Sequence, residues 1–450
     1  MKMFALKFLF FIPLFFCGNF CFATTEGAPP AIAFAEPTSP TNLGLTTEKF
    51  CLSIDGGGLR GVFPAAVLRE IEKKTGKKIH QLFPSGITGT STGAFIALAL
   101  SARKNTTPRD ENNLEDPDDP YNHPLFEPRD LIQLYRDLAT TVFPLCSVAN
   151  CCNNIQNMPD RCGAKICEIF WKIFTCCGCC AVCKNCGGCC GPQYSNEALR
   201  DALTKRFGDR KLKDVLVPVQ ITSFKINKNG GPVYFTNQNN PEMLMVDAAL
   251  ASSAAPTFFP PVSFEDPETK RRVHCIDGGI YENNPVFAAF AYARFLDREK
   301  TDNQNPQMQD FYVLSVGTGY TQSTRDPSAF YGHGLLGWAK HVIDFGIFGT
   351  AAVADRNVLR LLGEENYMRI NSSFDSEFEN MDDPGVIDPL LEEVSDNQDI
   401  KSKIEKFARR YKTANERAQI LIRDSHIPVE RLQALLAMTP PSAAAAAAHY

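Results

Sequence analysis

Glycine-rich turns join short apolar runs to helical patterns throughout the middle of this 450-residue chain. The apolar run 50–54 is followed by three glycines and then by helical spacing of apolar residues over 62–74. The segment 85–89 passes through a second glycine turn into a helix of small apolar residues. Further strands are predicted at 215–225, 233–236, 273–276 and 311–316, and further helices at 129–143, 246–256, 285–296 and 397–422. This alternation predicts an α/β fold, in which helices cover both faces of a mostly parallel central sheet.

The composition is that of a folded protein without an overall basic field. Hydrophobic residues make up 44% of the chain and charged residues 22%, which excludes a wholly disordered or collagen-like chain. Lysine and arginine number 46 against 51 aspartate and glutamate residues, so the formal net charge is −5. This balance gives no electrostatic reason to expect nucleic acid as a partner.

Residues 1–23 carry the pattern of a secretory signal peptide. Lys2 and Lys7 make the start positive, a long apolar run follows, and Ala23 ends the segment at a cleavage position. An uncleaved membrane anchor is the alternative interpretation of this pattern. We therefore predict a secreted or periplasmic protein with an extended Pro- and Ala-rich linker over 24–47. No other stretch reaches the roughly 18 consecutive apolar residues that a membrane span requires.

The segment GTSTG at 89–93 places a serine in a turn between a predicted strand and a predicted helix. Gly89 and Gly93 flank Ser91 in a G-x-S-x-G pattern, which lets the backbone bend sharply and projects the serine hydroxyl at the end of the strand. Taken by itself, the pattern also fits an ordinary Gly/Ser turn. The strand before it and the helix after it favour Ser91 as a nucleophile.

A second glycine motif, GGGLRG, fits two kinds of site. It matches the G-x-G-x-x-G fingerprint of dinucleotide-binding oxidoreductases, although the next acidic residues come too early for a ribose partner. Consecutive amides at a helix amino terminus are equally suited to hold an oxyanion, and here they belong to Gly56, Gly57 and Gly58. Arg60, which precedes Gly61, would orient the loop, attract an anionic head group or form a surface salt bridge.

An acidic residue at the end of a predicted strand completes the set of candidate site residues. Asp277 is followed by Gly278 and Gly279, and its carboxylate is a candidate base for Ser91. An Asp-Gly pair more commonly forms a simple turn. A conventional triad would add a histidine after the acid. Two histidines come in that order, and we expect both to be structural or surface residues: His333 and His341.

In this order, the three motifs resemble those of the patatin-like phospholipases, a family of lipid acyl hydrolases. The similar segments are IDGGGLRG at 54–61, GTSTG at 89–93, ALASSAAPTFFPP at 249–261, DGGIYENNP at 277–285 and SVGTG at 315–319. The resemblance covers roughly residues 48–360, apart from one insertion. It implies a three-layer fold with a mostly parallel central sheet.

The resemblance also implies the roles of these residues in an acyl transfer. Ser91 corresponds to the nucleophile and Asp277 to the general base of a serine–aspartate dyad, with no histidine, metal ion or cofactor required. The glycine loop corresponds to the oxyanion hole, and the other motif residues support the turns: Arg60, Gly61, Gly89, Gly93, Gly278 and Gly279. In the implied reaction Ser91 attacks the ester carbonyl and water then releases the fatty acid. The partners predicted on this basis are a phospholipid or other acyl lipid, a membrane surface and a protein activator.

A catalytically silent scaffold with the same fold is the alternative from a different class of function. In that hypothesis the cysteine-rich lobe binds a metal or a partner, but the intact serine, aspartate and glycines favour the enzyme. The predicted organisation is a catalytic domain over 48–365, a helical region over 366–436 and a disordered low-complexity tail over 437–450.

Thirteen of the 17 cysteines lie within residues 146–190, an insertion about which the resemblance implies nothing. Three interpretations are open: a disulfide-rich lobe, a Cys₄ zinc or iron–sulfur site, and a membrane-contacting hairpin. The third rests on aromatic side chains in the insertion: Phe170, Trp171 and Phe174. Cys51 and Cys275 fall in predicted strands, and we expect both to be buried free thiols.

Two further segments are candidates for contact with lipid. The segment FGIFG at 345–349 is apolar and aromatic, as is the insertion, and core packing is the alternative for both. The helix predicted at 397–422 is basic and amphipathic, so it would either lie on anionic lipid or pack on the domain with a solvated outer face.

Overall fold

A computed structural model describes residues 48–105, 123–143, 192–301, 306–321, 328, 331, 335–374 and 381–424. The predicted signal peptide, the predicted linker, the cysteine-rich insertion and the predicted tail all lie outside these ranges. The elements before the insertion are β1 (Lys49–Ile54), α1 (Val62–Thr75), α2 (Ile79–Leu82), β2 (Ile87–Gly89), α3 (Thr92–Ser101) and α4 (Pro128–Thr141).

The elements after the insertion include most of the sheet. In chain order they are α5 (Asn196–Phe207), β3 (Val219–Lys225), β4 (Gly231–Thr236), α6 (Met245–Ser253), β5 (Val262–Glu265), β6 (Arg272–Asp277), α7 (Gly279–Glu282), α8 (Val286–Thr301), β7 (Phe311–Val316), β8 (Tyr320–Thr321), α9 (Leu335–Asn366), β9 (Tyr367–Ile370), β10 (Ser373–Phe374), α10 (Ile387–Asp396) and α11 (Gln398–Asp424). The α9 segment is broken at Gly363, whose φ is 70°.

The central sheet has the strand order β5-β6-β3-β2-β1-β7-β9, and β4 also pairs with β3. The pairs β2–β3, β1–β2, β1–β7 and β7–β9 are parallel, whereas β3–β4, β3–β6 and β5–β6 are antiparallel. The predicted α/β class is therefore confirmed, with a parallel centre and an antiparallel edge.

Alternate residues of the central strands bury opposite faces of the sheet. In β1, Phe50, Leu52 and Ile54 join the main apolar cluster with α1 and α3, whereas Cys51 joins a second cluster with α8 and α9. Alternation with a period of two is what a strand covered on both faces requires. Cys51 and Cys275 are buried and free, as predicted.

Two strands share one edge of β3 and meet end to end. β2 pairs with Val219–Ile221 and β6 pairs with Ser223–Lys225, while β4 pairs with residues of both segments and so occupies the opposite edge. Because β2 is parallel and β6 antiparallel to β3, their carboxyl ends face each other with only Thr222 between them. This junction brings together residues that lie far apart in the sequence.

The C-terminal part of the described chain is built into the same sheet and core. β9 pairs with β7, and the apolar side of α11 buries Ile400, Ile404 and Phe407 in the main cluster. The elements on both sides of the predicted boundary at residue 365 therefore share one sheet and one apolar core. Of the two interpretations of this helix, the structure supports packing on the domain, since these three apolar side chains are buried. Among the described helices, none combines the length and the apolar character of a transmembrane span.

Candidate active site

Ser91 lies at a sharp turn between β2 and α3. Its φ of 53° and ψ of −120° are unusual for a residue with a side chain, and such strain is concentrated at functional sites. The turn needs glycine on both sides. A Cβ on Gly89 would lie 2.2 Å from the carbonyl oxygen of Gly93, and one on Gly93 would lie 2.2 Å from that of Ile54. The close approach of α3 to β1 and β2 therefore accounts for both glycines of the G-x-S-x-G pattern.

Three hydrogen bonds that involve side chains hold this turn to the surrounding elements. The backbone N–H of Ser91 donates to the hydroxyl of Ser252, a buried residue of α6, at 2.8 Å. The hydroxyl of Thr90 donates to the carbonyl of Glu282 at 2.8 Å and accepts from the hydroxyl of Thr222 at 2.8 Å. Sequence reasoning used the segment around Ser252 only as part of a resemblance and assigned it no contact, because α6 reaches the turn only in the folded chain.

Asp277 ends β6 and is 5% exposed. The N–H of Gly279 donates to its Oδ1 at 2.7 Å. Burial raises the pKa of Asp277 to about 6, although the N–H of Gly279 and the nearby side chain of Ser91 act to lower it. At neutral pH the carboxylate is therefore mainly ionised and able to accept a proton from the serine.

The three glycines after β1 occupy different hydrogen-bonding positions. The N–H of Gly56 donates to the carbonyl of Asn283 at 3.0 Å, and its own carbonyl accepts from the hydroxyl of Thr318 at 2.7 Å. Within the described part of the chain, the N–H groups of Gly57 and Gly58 have no hydrogen-bond partner. Gly58 has a φ of 60°, and a Cβ there would lie 2.4 Å from the carbonyl oxygen of Met381. The loop thus presents two amides, while the third ties it to the turn after α7.

The remaining motif residues line the same junction. Gly61 lies against the hydroxyl of Tyr135, and Gly278 lies against that of Thr222. Arg60 is only 1% exposed, and its guanidinium stacks over the ring of Phe348 at 5.9 Å. The interpretation of Arg60 as a surface salt bridge is therefore wrong, since the residue is inside the fold.

A buried ion pair anchors the start of the glycine loop. Arg369 of β9 donates to both carboxylate oxygens of Asp55, at 3.1 Å and 2.5 Å, and to the hydroxyl of Ser315 at 2.6 Å. Burial raises the pKa of Asp55, and the guanidinium of Arg369 opposes this shift. Sequence reasoning missed Arg369, because nothing near it in the sequence marks it as a partner of the loop.

Several of the sequence predictions concern residues whose side chains are not described. His333 and the cysteines of 146–190 lie outside the described residues, and His341 lies in a part of α9 of which only the backbone is described. The structure brings together the nucleophile candidate, the acid candidate and the glycine loop in one place.

The family model "Patatin-like phospholipase" matches residues 52–140 and 191–290. The first matched segment contains the glycine loop and Ser91, and the second contains Asp277. The chain contains a patatin-like phospholipase domain. The interruption of the match over 141–190 contains the cysteine-rich segment.

Relatives with assigned names agree with this match. Patatin-like protein 3 of Arabidopsis thaliana is 29% identical over 353 residues, which cover 71% of this chain and 73% of that protein. The cGAMP-activated phospholipase of Escherichia coli (strain TW11681) is 27% identical over 292 residues, or 62% of this chain and 64% of that protein. The patatin-like phospholipase domain supports an activity of the lipid acyl hydrolase type.

Proposed function

We propose that this patatin-like protein hydrolyses fatty-acyl esters of lipids as a phospholipase A, with Ser91 as nucleophile and Asp277 as general base. The observation that carries the proposal is the end-to-end meeting of β2 and β6 on β3. It brings the strained turn of Ser91 next to Asp277, a buried carboxyl whose pKa is raised to about 6. A general base works best when its pKa lies near the operating pH.

The reaction proceeds in two steps that balance in atoms and protons. The Ser91 oxygen attacks the ester carbonyl carbon while the Asp277 carboxylate accepts the hydroxyl proton. The tetrahedral oxyanion collapses to an acyl-serine, and the departing lysolipid alkoxide takes the proton from Asp277. Water then attacks the acyl-serine and gives a proton to Asp277, which returns it to Ser91 as the fatty acid leaves.

The amides of Gly57 and Gly58 are the proposed donors to the oxyanion. Both are unpartnered among the described residues, and both belong to the loop that precedes a helix amino terminus. Gly56 has a different part in this proposal, since its amide is already bonded to Asn283. Loss of one such donor typically lowers kcat by about 10²–10³-fold.

Fatty-acid release from mixed phospholipid vesicles tests the dyad. We expect the wild-type chain to release fatty acid with a chelator present, and Ser91→Ala and Asp277→Asn to lose at least 100-fold while keeping their circular dichroism spectra. The matched controls are Ser402→Ala and Asp209→Asn, two exposed positions away from the site. An active Ser91→Ala variant would contradict the dyad, and a folded wild-type chain that is inactive both with and without cGAMP would favour the silent scaffold.

Export and activation are further parts of the proposed function. The pattern of residues 1–23 supports cleavage after Ala23 and a secreted or periplasmic enzyme, which amino-terminal sequencing of the mature protein tests. The name of the E. coli relative states activation by cGAMP, so the activator proposed for this chain is a small molecule or a protein. Adding cGAMP to the vesicle assay tests this one small molecule, and stimulation of fatty-acid release would support an activator of the small-molecule class.

A further inference from the structure

The outer side of α9 carries a continuous stripe of apolar and cationic residues. We define the α9 stripe as Phe345, Gly349, Ala352, Val353, Arg356, Leu359 and Arg360, all of which are exposed. The spacing of three and four residues places them on one face of the helix. We propose that the α9 stripe docks the protein on a lipid surface with anionic head groups; this rests on the proposed lipid hydrolase function.

The inner side of the same helix contacts the candidate active site. The ring of Phe348 lies 5.9 Å from the guanidinium of Arg60 in the glycine loop, and the carbonyl of Ala351 accepts from the side-chain amide of Asn284 at 3.3 Å. Two turns beyond Ala351, Val358 is buried in the second apolar cluster. Since a helix with its side chains is about 10–12 Å across, a lipid surface on the stripe would lie about one helix diameter from the loop.

The apolar side chains of the stripe are unusually accessible for their size. Phe345 is 49% exposed, Val353 is 48% exposed and Leu359 is 37% exposed. Exposed apolar residues that form a contiguous surface rather than isolated positions mark contact with a partner or a membrane. The stripe therefore has the apolar component that an interfacial helix uses.

The charges of the stripe are all positive. Arg356 and Arg360 form no ion pair with any residue that the structure describes, and the stripe contains no carboxylate. The acidic neighbour Asp355 is partly exposed, and its carboxylate accepts from the hydroxyl of Tyr367 at 2.5 Å. The whole chain has a formal charge of −5 and is therefore repelled by anionic lipid on average. The α9 stripe is apolar and cationic, so it is attracted to anionic head groups.

Vesicle binding measured without turnover tests this proposal. The full chain carrying Ser91→Ala is cosedimented with vesicles of phosphatidylcholine and phosphatidylglycerol. It is compared with two variants of the same Ser91→Ala chain. One adds Arg356→Glu and Arg360→Glu together, and the other adds Val353→Asp. We expect both sets of changes to weaken binding at least fivefold. The matched control reverses two exposed charges of α11, Arg409→Glu and Lys412→Glu, and we expect it to weaken binding less than twofold.

Three outcomes would overturn the proposal. One is unchanged binding of the stripe variants, and another is an equal loss in the α11 control, which would indicate a general charge effect. The third is a change of molecular mass in solution for Val353→Asp, which would show that a second copy covers the stripe.

Turnover separates this proposal from the proposed function. In the active chain, we expect the ratio of turnover on vesicles to turnover on a water-soluble ester to fall at least fivefold in the stripe variants. If the wild type hydrolyses neither substrate, the proposed function fails, while the binding result still decides whether the stripe docks on lipid.

Discussion

At the scale of single residues, burial and hydrogen bonding act against each other on Asp277. Burial disfavours its charge and raises its pKa to about 6, and the N–H of Gly279 together with the nearby side chain of Ser91 partly offsets this. We expect kcat for a soluble ester to be constant above about pH 7 and to fall towards tenfold per pH unit below pH 6, because only the carboxylate accepts the proton. A pH–rate profile measures this, and a flat profile from pH 5 to 7 would rule out Asp277 as the base.

The same pKa makes Asp277 a cost to stability at neutral pH. A carboxyl whose folded pKa is about 6 against an ordinary value of 3.8 stabilises the fold when protonated, and this contribution is lost as pH rises through 6. We therefore expect Asp277→Asn to gain stability relative to wild type between pH 4 and pH 7.5, on the order of 2 kcal/mol. Urea unfolding at both pH values measures the difference. Asp209→Asn, at an exposed position, should show no such dependence.

Ser252 is a positioning residue for the nucleophile turn. Ser252→Ala leaves the N–H of Ser91 without its partner at a strained backbone, so we expect a loss of about 1–3 kcal/mol in stability and a fall in kcat larger than any change in KM. The control is Ser101→Ala, because Ser101 is also fully buried but its hydroxyl has no hydrogen-bond partner among the described residues. Equal effects of both changes on kcat would contradict this role.

At the scale of elements, β9 stabilises the glycine loop through a single ion pair. Arg369→Met leaves Asp55 as an uncompensated buried charge, and breaking such a pair typically costs about 3–5 kcal/mol. We expect this loss of stability together with reduced kcat, since Asp55 directly precedes the glycines. The control is Arg206→Met, which breaks a half-exposed pair with Asp137 at 2.7 Å and should cost less than about 1 kcal/mol. Denaturant midpoints of the two variants decide between these expectations.

Local patterns predicted most of the elements but not all of them. The strand 311–316 and the helix starting near 62 agree with β7 and α1, because their apolar spacing is complete within each segment. The elements that were not predicted are β5, β8, β9, β10, α2, α5, α7, α9 and α10. β5 and β9 have only four residues each, too few for a periodic pattern, and they are strands because a neighbouring strand offers hydrogen bonds.

At the scale of the whole molecule, the C-terminal helix is part of the core although it lies beyond the match to the family model. Phe407 of α11 is fully buried and contacts the rings of Phe50, Phe83 and Tyr312. We expect Phe407→Ala to cost about 3–5 kcal/mol, because the cavity left between these rings cannot close completely. The control is Phe287→Ala, which removes a ring that is half exposed. Urea unfolding of both variants measures this, and equal midpoints would show that α11 packs only loosely.

The sequence by itself determined the residue types and the local turns of the candidate site. Gly89, Gly93 and Asp277 could be singled out because a glycine turn after a strand is a short-range signal. The tertiary structure decided how these pieces meet. β2 and β6 face each other on one edge of β3, the Gly56 amide bonds to Asn283, and Ser252 reaches the turn from α6. These are contacts between distant parts of the chain, and they form only when the sheet and its helices pack together.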